Sequence, residues 1–98
     1  MIKHIVFWKL KDEALDNSKQ QNLKLMKEKL ESLKGKIDGL LEVEVGTNYN
    51  PKGYDIALVC TLSSKEALDL YQIHPEHVKV KDFVVNVTND RAVVDYET

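Results

Sequence analysis

Over the first ten positions apolar residues alternate with a second series of side chains. Ile2, His4, Val6, Trp8 and Leu10 share one face, and Lys3, Ile5, Phe7 and Lys9 share the other. A period of two is that of a strand; this one is apolar on one face except for a histidine, and half apolar on the other. Asp12 to Ser18 is polar and turn-like. From Ser18 the period changes. Leu23, Met26, Leu30 and Leu33 recur at helical spacing, and Ser18 with Gln21 fits a capping box that satisfies orphan donors of the first turn. Gly35 suits the left-handed residue that ends a helix. Asp38-Gly39 turns the chain into a second strand, Leu41 to Thr47, in which Leu41, Val43 and Val45 alternate with Glu42 and Glu44. Asn48 to Gly53, rich in Asn, Pro and Gly, reads as a loop. The third strand, Tyr54 to Leu62, sets Ile56, Leu58, Cys60 and Leu62 against Ala57, Val59 and Thr61, so both of its faces are expected to be covered.

Ser63 with Glu66 forms a second capping-box pattern, opening a helix that turns Ala67, Leu68 and Tyr71 inward. His74 precedes a proline and is pushed out of the helical region, so the helix stops there. Pro75 suits the first position of a new helix, with Glu76 near its positive end. The run Val78 to Val87 is rich in valine, which favours strands. The steps His77, Val80, Val84, Val87 nevertheless predict a helix. Asn89-Asp90 is expected to turn the chain into a fourth strand, Arg91 to Glu97. This order is α+β, the ferredoxin-like split βαβ arrangement of a four-stranded antiparallel sheet with helices on one face. The other sheet face carries Ile5, Phe7, Ala57 and Val59, which one chain leaves bare. A face of that kind is usually buried against another subunit, so the pattern predicts a homodimer with Phe7 and Val59 at the shared surface.

Ninety-eight residues suit a single domain, 1–98. The formal net charge of −2 argues against nucleic-acid binding, which needs a concentrated basic surface. The lysines between Lys19 and Lys36 interleave with Glu28 and Glu31, as on a solvated helix face. Cys60 is the only cysteine, so no intrachain disulfide forms, and a reducing, cytoplasmic setting is expected. In its apolar run it reads as a small hydrophobe. The apolar stretch Ile5 to Trp8 is far too short to span a membrane.

The candidate chemistry is a tyrosine and histidines around a proline. Tyr71, His77 and His4 all lie on inward faces, converging on a space lined by Val6, Trp8, Ile56 and Leu58. A mostly apolar space with few converging polar groups is the usual make-up of a small-molecule site. A partly desolvated His77 beside the Tyr71 hydroxyl could take a proton next to a carbonyl while the phenol stabilises the enolate. The competing reading is packing, with Tyr71 bonded to His77 to lock the helix break. His74 is read as a helix terminator, and Asp95 with Arg91 as a structural or interface charge. His74 and His77 lack a third ligand at recognisable spacing, so no metal is expected. No nucleophile elbow and no glycine-rich phosphate loop is present, and no cofactor is implied.

Several segments together resemble one family. Lys3-His4-Ile5-Val6, Gly53-Tyr54, Tyr71-x-x-His74-Pro75-x-His77, Phe83-Val84 and Arg91-x-Val93-Val94-Asp95-Tyr96 are similar, in matching order over essentially the whole chain, to the stress-responsive A/B barrel (Dabb) domain. The His-Pro-x-His step with the closing Val-Val-Asp is the most specific part. The resemblance implies a dimer whose two sheets face each other to form an α/β barrel. It also implies a range of activities: bacterial members mostly without an assigned reaction, plant relatives induced by salt stress, and a branch that cyclises linear polyketides without metal or cofactor. In that branch a tyrosine and two histidines matching Tyr71, His77 and His4 serve the pocket. Three readings follow. One is a stress-associated homodimer that binds a small apolar or aromatic molecule; another is a cofactor-independent lyase or cyclase using His77 and Tyr71; the third is an interaction module with a filled interior. An open cavity at His77 separates the first two from the third.

Overall fold

The computed structural model describes residues 1–98. Strand β1 (Ile2–Leu10) leads into a small hairpin, β2 (Glu13–Ala14) and β3 (Asn17–Ser18), and then helix α1 (Lys19–Glu31). Strands β4 (Leu40–Thr47) and β5 (Ile56–Leu62) follow, then helices α2 (Lys65–Ile73) and α3 (Pro75–Val87), and strand β6 (Thr88–Glu97) closes the chain. The four long strands form one antiparallel sheet in the order β4-β5-β1-β6. This is the ferredoxin-like α+β fold with a four-stranded antiparallel sheet and three helices. Its core is one cluster in which Val6, Trp8, Ile56, Leu58 and Leu62 of the sheet meet Met26, Leu30, Tyr71, Val84 and Val87 of the helices. Each such side chain contributes about 1.5–3 kcal/mol by leaving water.

The local rules hold where caps and periodicity agree. Ser18 caps α1 as expected: its hydroxyl accepts the Gln21 amide at 3.2 Å, and the Gln21 side chain accepts the Ser18 amide at 2.8 Å. His74 ends α2 in an extended conformation and also caps α3, its Nδ1 accepting the Glu76 amide at 3.1 Å. Pro75 is the first residue of α3, where a missing amide costs nothing.

Five expectations are corrected. The segment between β1 and α1 is a hairpin rather than a plain turn, with Leu15 and Asp16 both at positive φ (54° and 62°), the conformation of a type I′ connection. Asp tolerates a positive φ, but Leu15 does not advertise that turn. The buried Asn22 side chain stabilises it by donating to the Ala14 carbonyl at 3.0 Å. Helix α2 is capped by Ser64, which accepts the Ala67 amide, and not by Ser63, whose own amide is used by the Gly39 carbonyl. In β4 the register shifts between Leu40 and Glu42, so Leu40 is buried and Leu41 is left 42% exposed; the extra residue of a bulge reverses the alternation. Strand β5 begins at Ile56, two residues later than Tyr54. Strand β6 begins at Thr88 directly after α3, so Asn89 and Asp90 pair in the sheet instead of turning.

Gly39 has a specific task. Its φ is +85°, and a Cβ there would stand 2.6 Å from the Ala67 Cβ, so only glycine lets α2 lie this close to the start of β4.

Candidate functional site

The break between α2 and α3 builds the site. In an uninterrupted helix the Gln72 carbonyl would accept the amide four residues on, that of Glu76. Here the Glu76 amide goes to His74 Nδ1, which leaves the Gln72 carbonyl without its helical partner. His77 takes that place: its Nδ1 lies 3.1 Å from the Gln72 oxygen. A carbonyl can only accept, so Nδ1 carries the hydrogen and Nε2 keeps a lone pair. Burial holds the His77 imidazole below its ordinary value. The Gln72 bond works against this, and the positive charge of Lys81, His4 and Arg91 reinforces it.

His4 is placed by the sheet. It lies mid-strand on the helix-facing side of β1, is 3% exposed, and pairs in register with Asp95 of β6. The Asp95 carboxylate accepts from His4 Nδ1 at 2.5 Å. Both histidines thus spend Nδ1 on a protein acceptor.

Tyr71 stands between the two imidazoles. Its ring is edge-on to His4, with centroids 6.0 Å apart, and tilted against His77 at 4.4 Å. Its hydroxyl accepts the Cys60 thiol at 4.0 Å rather than bonding His77. Burial raises the Tyr71 phenol far above its usual range, with Cys60 adding to the effect. Burial also pushes the Cys60 thiol up to about 11, against a smaller opposing bond to Tyr71. Both stay neutral and protonated near pH 7, so Tyr71 can donate but not serve as a base.

These three residues border a cavity of about 270 Å³ between the sheet and α3. Val6, Trp8, Leu58, Val80 and Val84 form part of its apolar wall, and Gln72, Lys81, Thr88 and Arg91 also line it. Of the residues expected here, His4, Val6, Trp8, Leu58, Tyr71 and His77 come together. Ile56 is buried opposite Trp8 at the start of β5 and lies outside the lining. Asp95, expected with Arg91 as a structural or interface charge, is bonded to His4. The sequence held a signal for it, since β1 and β6 run antiparallel and His4 must oppose some residue of the closing strand, but the register was not fixed. Gln72 gave no signal, because its part is played by a backbone carbonyl. His74 and His77 direct their Nδ1 atoms to different backbone groups, and no cluster of three or more His, Cys, Asp or Glu side chains is placed to hold a metal ion.

The family model described as the stress responsive A/B barrel domain matches residues 2–98. The chain belongs to this Dabb family. Among solved structures, the Dabb fold here is similar to a dimeric protein of unknown function and ferredoxin-like fold from Bacteroides fragilis, at 36% identity and a TM-score of 0.88, covering 99% of this chain and 95% of that one. It is also similar to a Dabb family protein with a ferredoxin-like fold from Mesorhizobium loti, at 25% identity and a TM-score of 0.74, covering 99% and 95%. A hydroxynitrile lyase from Passiflora edulis shares the fold at 18% identity and a TM-score of 0.82, covering 97% and 90%. No curated protein matches the chain. No helix of this Dabb domain is long and apolar enough to cross a membrane.

Proposed function

We propose that this Dabb protein is a homodimer that binds a small, mostly apolar molecule in the cavity headed by His77. The observation that carries the reading is the pair of imidazoles at one apolar cavity, each with Nδ1 already committed and Nε2 free of a protein partner. Packing alone has no use for two such nitrogens beside an unfilled space. The dimer accounts for the other side of the sheet, where Phe7, Val94 and Tyr96 are 38%, 57% and 45% exposed in one chain. Burying that face against a second sheet makes the α/β barrel. The free, buried Cys60 suits a reducing, cytoplasmic setting.

A thermal-shift screen of single-ring aromatic compounds tests the binding reading, because a ligand of the folded state raises its melting temperature. The expected result is a shift that disappears in Val84→Phe, which fills the cavity, while circular dichroism stays native. Shifts that persist in that variant place the ligand elsewhere and overturn the reading. Light scattering at micromolar concentration tests the dimer; a stable monomer overturns it.

A second reading, a cofactor-independent lyase or cyclase, is favoured by one feature: His77 combines a lowered proton affinity with a lone pair at Nε2. Such a base would move a proton from a carbon beside a carbonyl onto Nε2, and the Tyr71 O–H would donate to the enolate oxygen. His77→Ala should abolish turnover in any activity found, and Tyr71→Phe should reduce it by less. Turnover that survives His77→Ala excludes this mechanism.

A further inference from the structure

We propose that the cavity is selective for an anion: a small organic acid whose apolar body packs on Val6, Leu58 and Val84 while Lys81 and Arg91 hold its carboxylate at the mouth. This rests on the ligand-binding reading above and names the chemical class of the ligand. The chain carries 16 acidic residues against 14 basic ones, so an average patch of its surface is slightly negative. The cavity departs from that average. None of its 14 lining residues is Asp or Glu, and Lys81 and Arg91 are both among them.

Neither cation has an ion-pair partner. The ion pairs of the chain are His4 with Asp95, Lys19 with Asp12 and Asp55, Lys65 with Glu97, and Lys79 with Glu76. The carboxylates nearest Arg91 along β6 are both engaged elsewhere. Asp90 faces the opposite side of the sheet and accepts the Arg91 backbone amide, and Asp95 is bonded to His4. Both cations act on His77, whose imidazole they disfavour as a cation. Two unpaired positive groups at the rim of an apolar space match a ligand with one anionic end and one apolar end. At about 30 Å³ for each water-sized group, the cavity holds about nine of them, the size of a single-ring or short-chain acid.

The test compares phenylacetate with phenylacetamide, which has the same shape without the charge, by calorimetry and by NMR of the histidine side chains. The wild type should bind phenylacetate at least tenfold more tightly than the amide, with the advantage shrinking as salt is added. In the double variant Lys81→Gln, Arg91→Gln the preference should vanish while the amide binds as before. His77 should titrate at higher pH with phenylacetate bound, since the anion offsets Lys81 and Arg91, and should not move with the amide. If the amide binds as tightly as the acid, or if the preference survives in the double variant, selectivity for an acid is overturned and the cavity remains a neutral-ligand site. If neither probe binds at millimolar concentration, the ligand-binding reading falls together with it.

Discussion

Asp95 and His4 are direct neighbours across β6 and β1, and the carboxylate accepts from His4 Nδ1 at 2.5 Å. The pairing is fixed by backbone register, so His4 cannot turn its ring without breaking a bond to a charged acceptor. Asp95→Asn keeps the shape and removes the charge. The variant should lose about 1 kcal/mol, below the usual range for a bond to a charged group because Asp95 is 44% exposed. It should also weaken the preference for hydrogen on Nδ1, read from the ¹⁵N shifts of the His4 ring. An unchanged tautomer signature would mean that the sheet, and not Asp95, orients the imidazole.

Gly39 and Ala67 set how closely α2 approaches the sheet. Gly39→Ala combines an unfavourable positive φ with a 2.6 Å clash against the Ala67 Cβ. The expected loss is about 2–4 kcal/mol in denaturant unfolding, from the left-handed backbone and overpacking together. Gly39→Ala combined with Ala67→Gly should recover the part due to the clash and leave the part due to φ. A single variant as stable as wild type would show that α2 can move away freely.

The pH dependence of stability follows from His77. Its folded-state value lies below the ordinary 6.5, so in the interval below about pH 6.5 the unfolded chain binds a proton that the folded chain does not. Stability is therefore full above that point and falls as pH drops toward the folded-state value. His77→Gln can still donate to the Gln72 carbonyl but does not titrate. Its melting temperature should decline less steeply than that of wild type as pH falls from about 6.5. Parallel curves would mean that His77 is as free to charge in the fold as in the unfolded chain.

Local chemistry made most of the fold legible. The Ser18–Gln21 box, the His74-Pro75 stop and the 3,4,3 stepping of His77, Val80, Val84 and Val87 each act within a single helix or its ends, and the structure keeps all three. What escaped depends on register or on contacts between distant segments. The bulge at Leu41 is a pairing event between β4 and β5 that no alternation within β4 reveals. The choice of Ser64 over Ser63 turns on the Ser63 amide meeting Gly39, 24 positions away in sequence. The site divides in the same way. Inward helical and strand faces identified Tyr71, His77 and His4, whereas Asp95, Lys81 and Arg91 join it only once β6 is laid beside β1 and α3 crosses them.

Pro75 controls the geometry of His77 through hydrogen bonds it does not itself make. By excluding His74 from the helical region it keeps α2 and α3 apart, sends the Glu76 amide to His74 Nδ1, and leaves the Gln72 carbonyl to His77. Alanine at this position lifts the restriction, and the Glu76 amide can then return to the Gln72 carbonyl in a continuous helical turn. His77 Nδ1 would lose its acceptor and the ring its fixed tautomer. Pro75→Ala should therefore disturb the cavity more than the fold. The His77 ring ¹⁵N shifts should move toward a mixture of tautomers, and binding of any cavity ligand should weaken about tenfold, while global stability changes by only about 1 kcal/mol. If the structure of the variant superposes on the wild type with His77 still on the Gln72 carbonyl, tertiary packing and not Pro75 holds the break open.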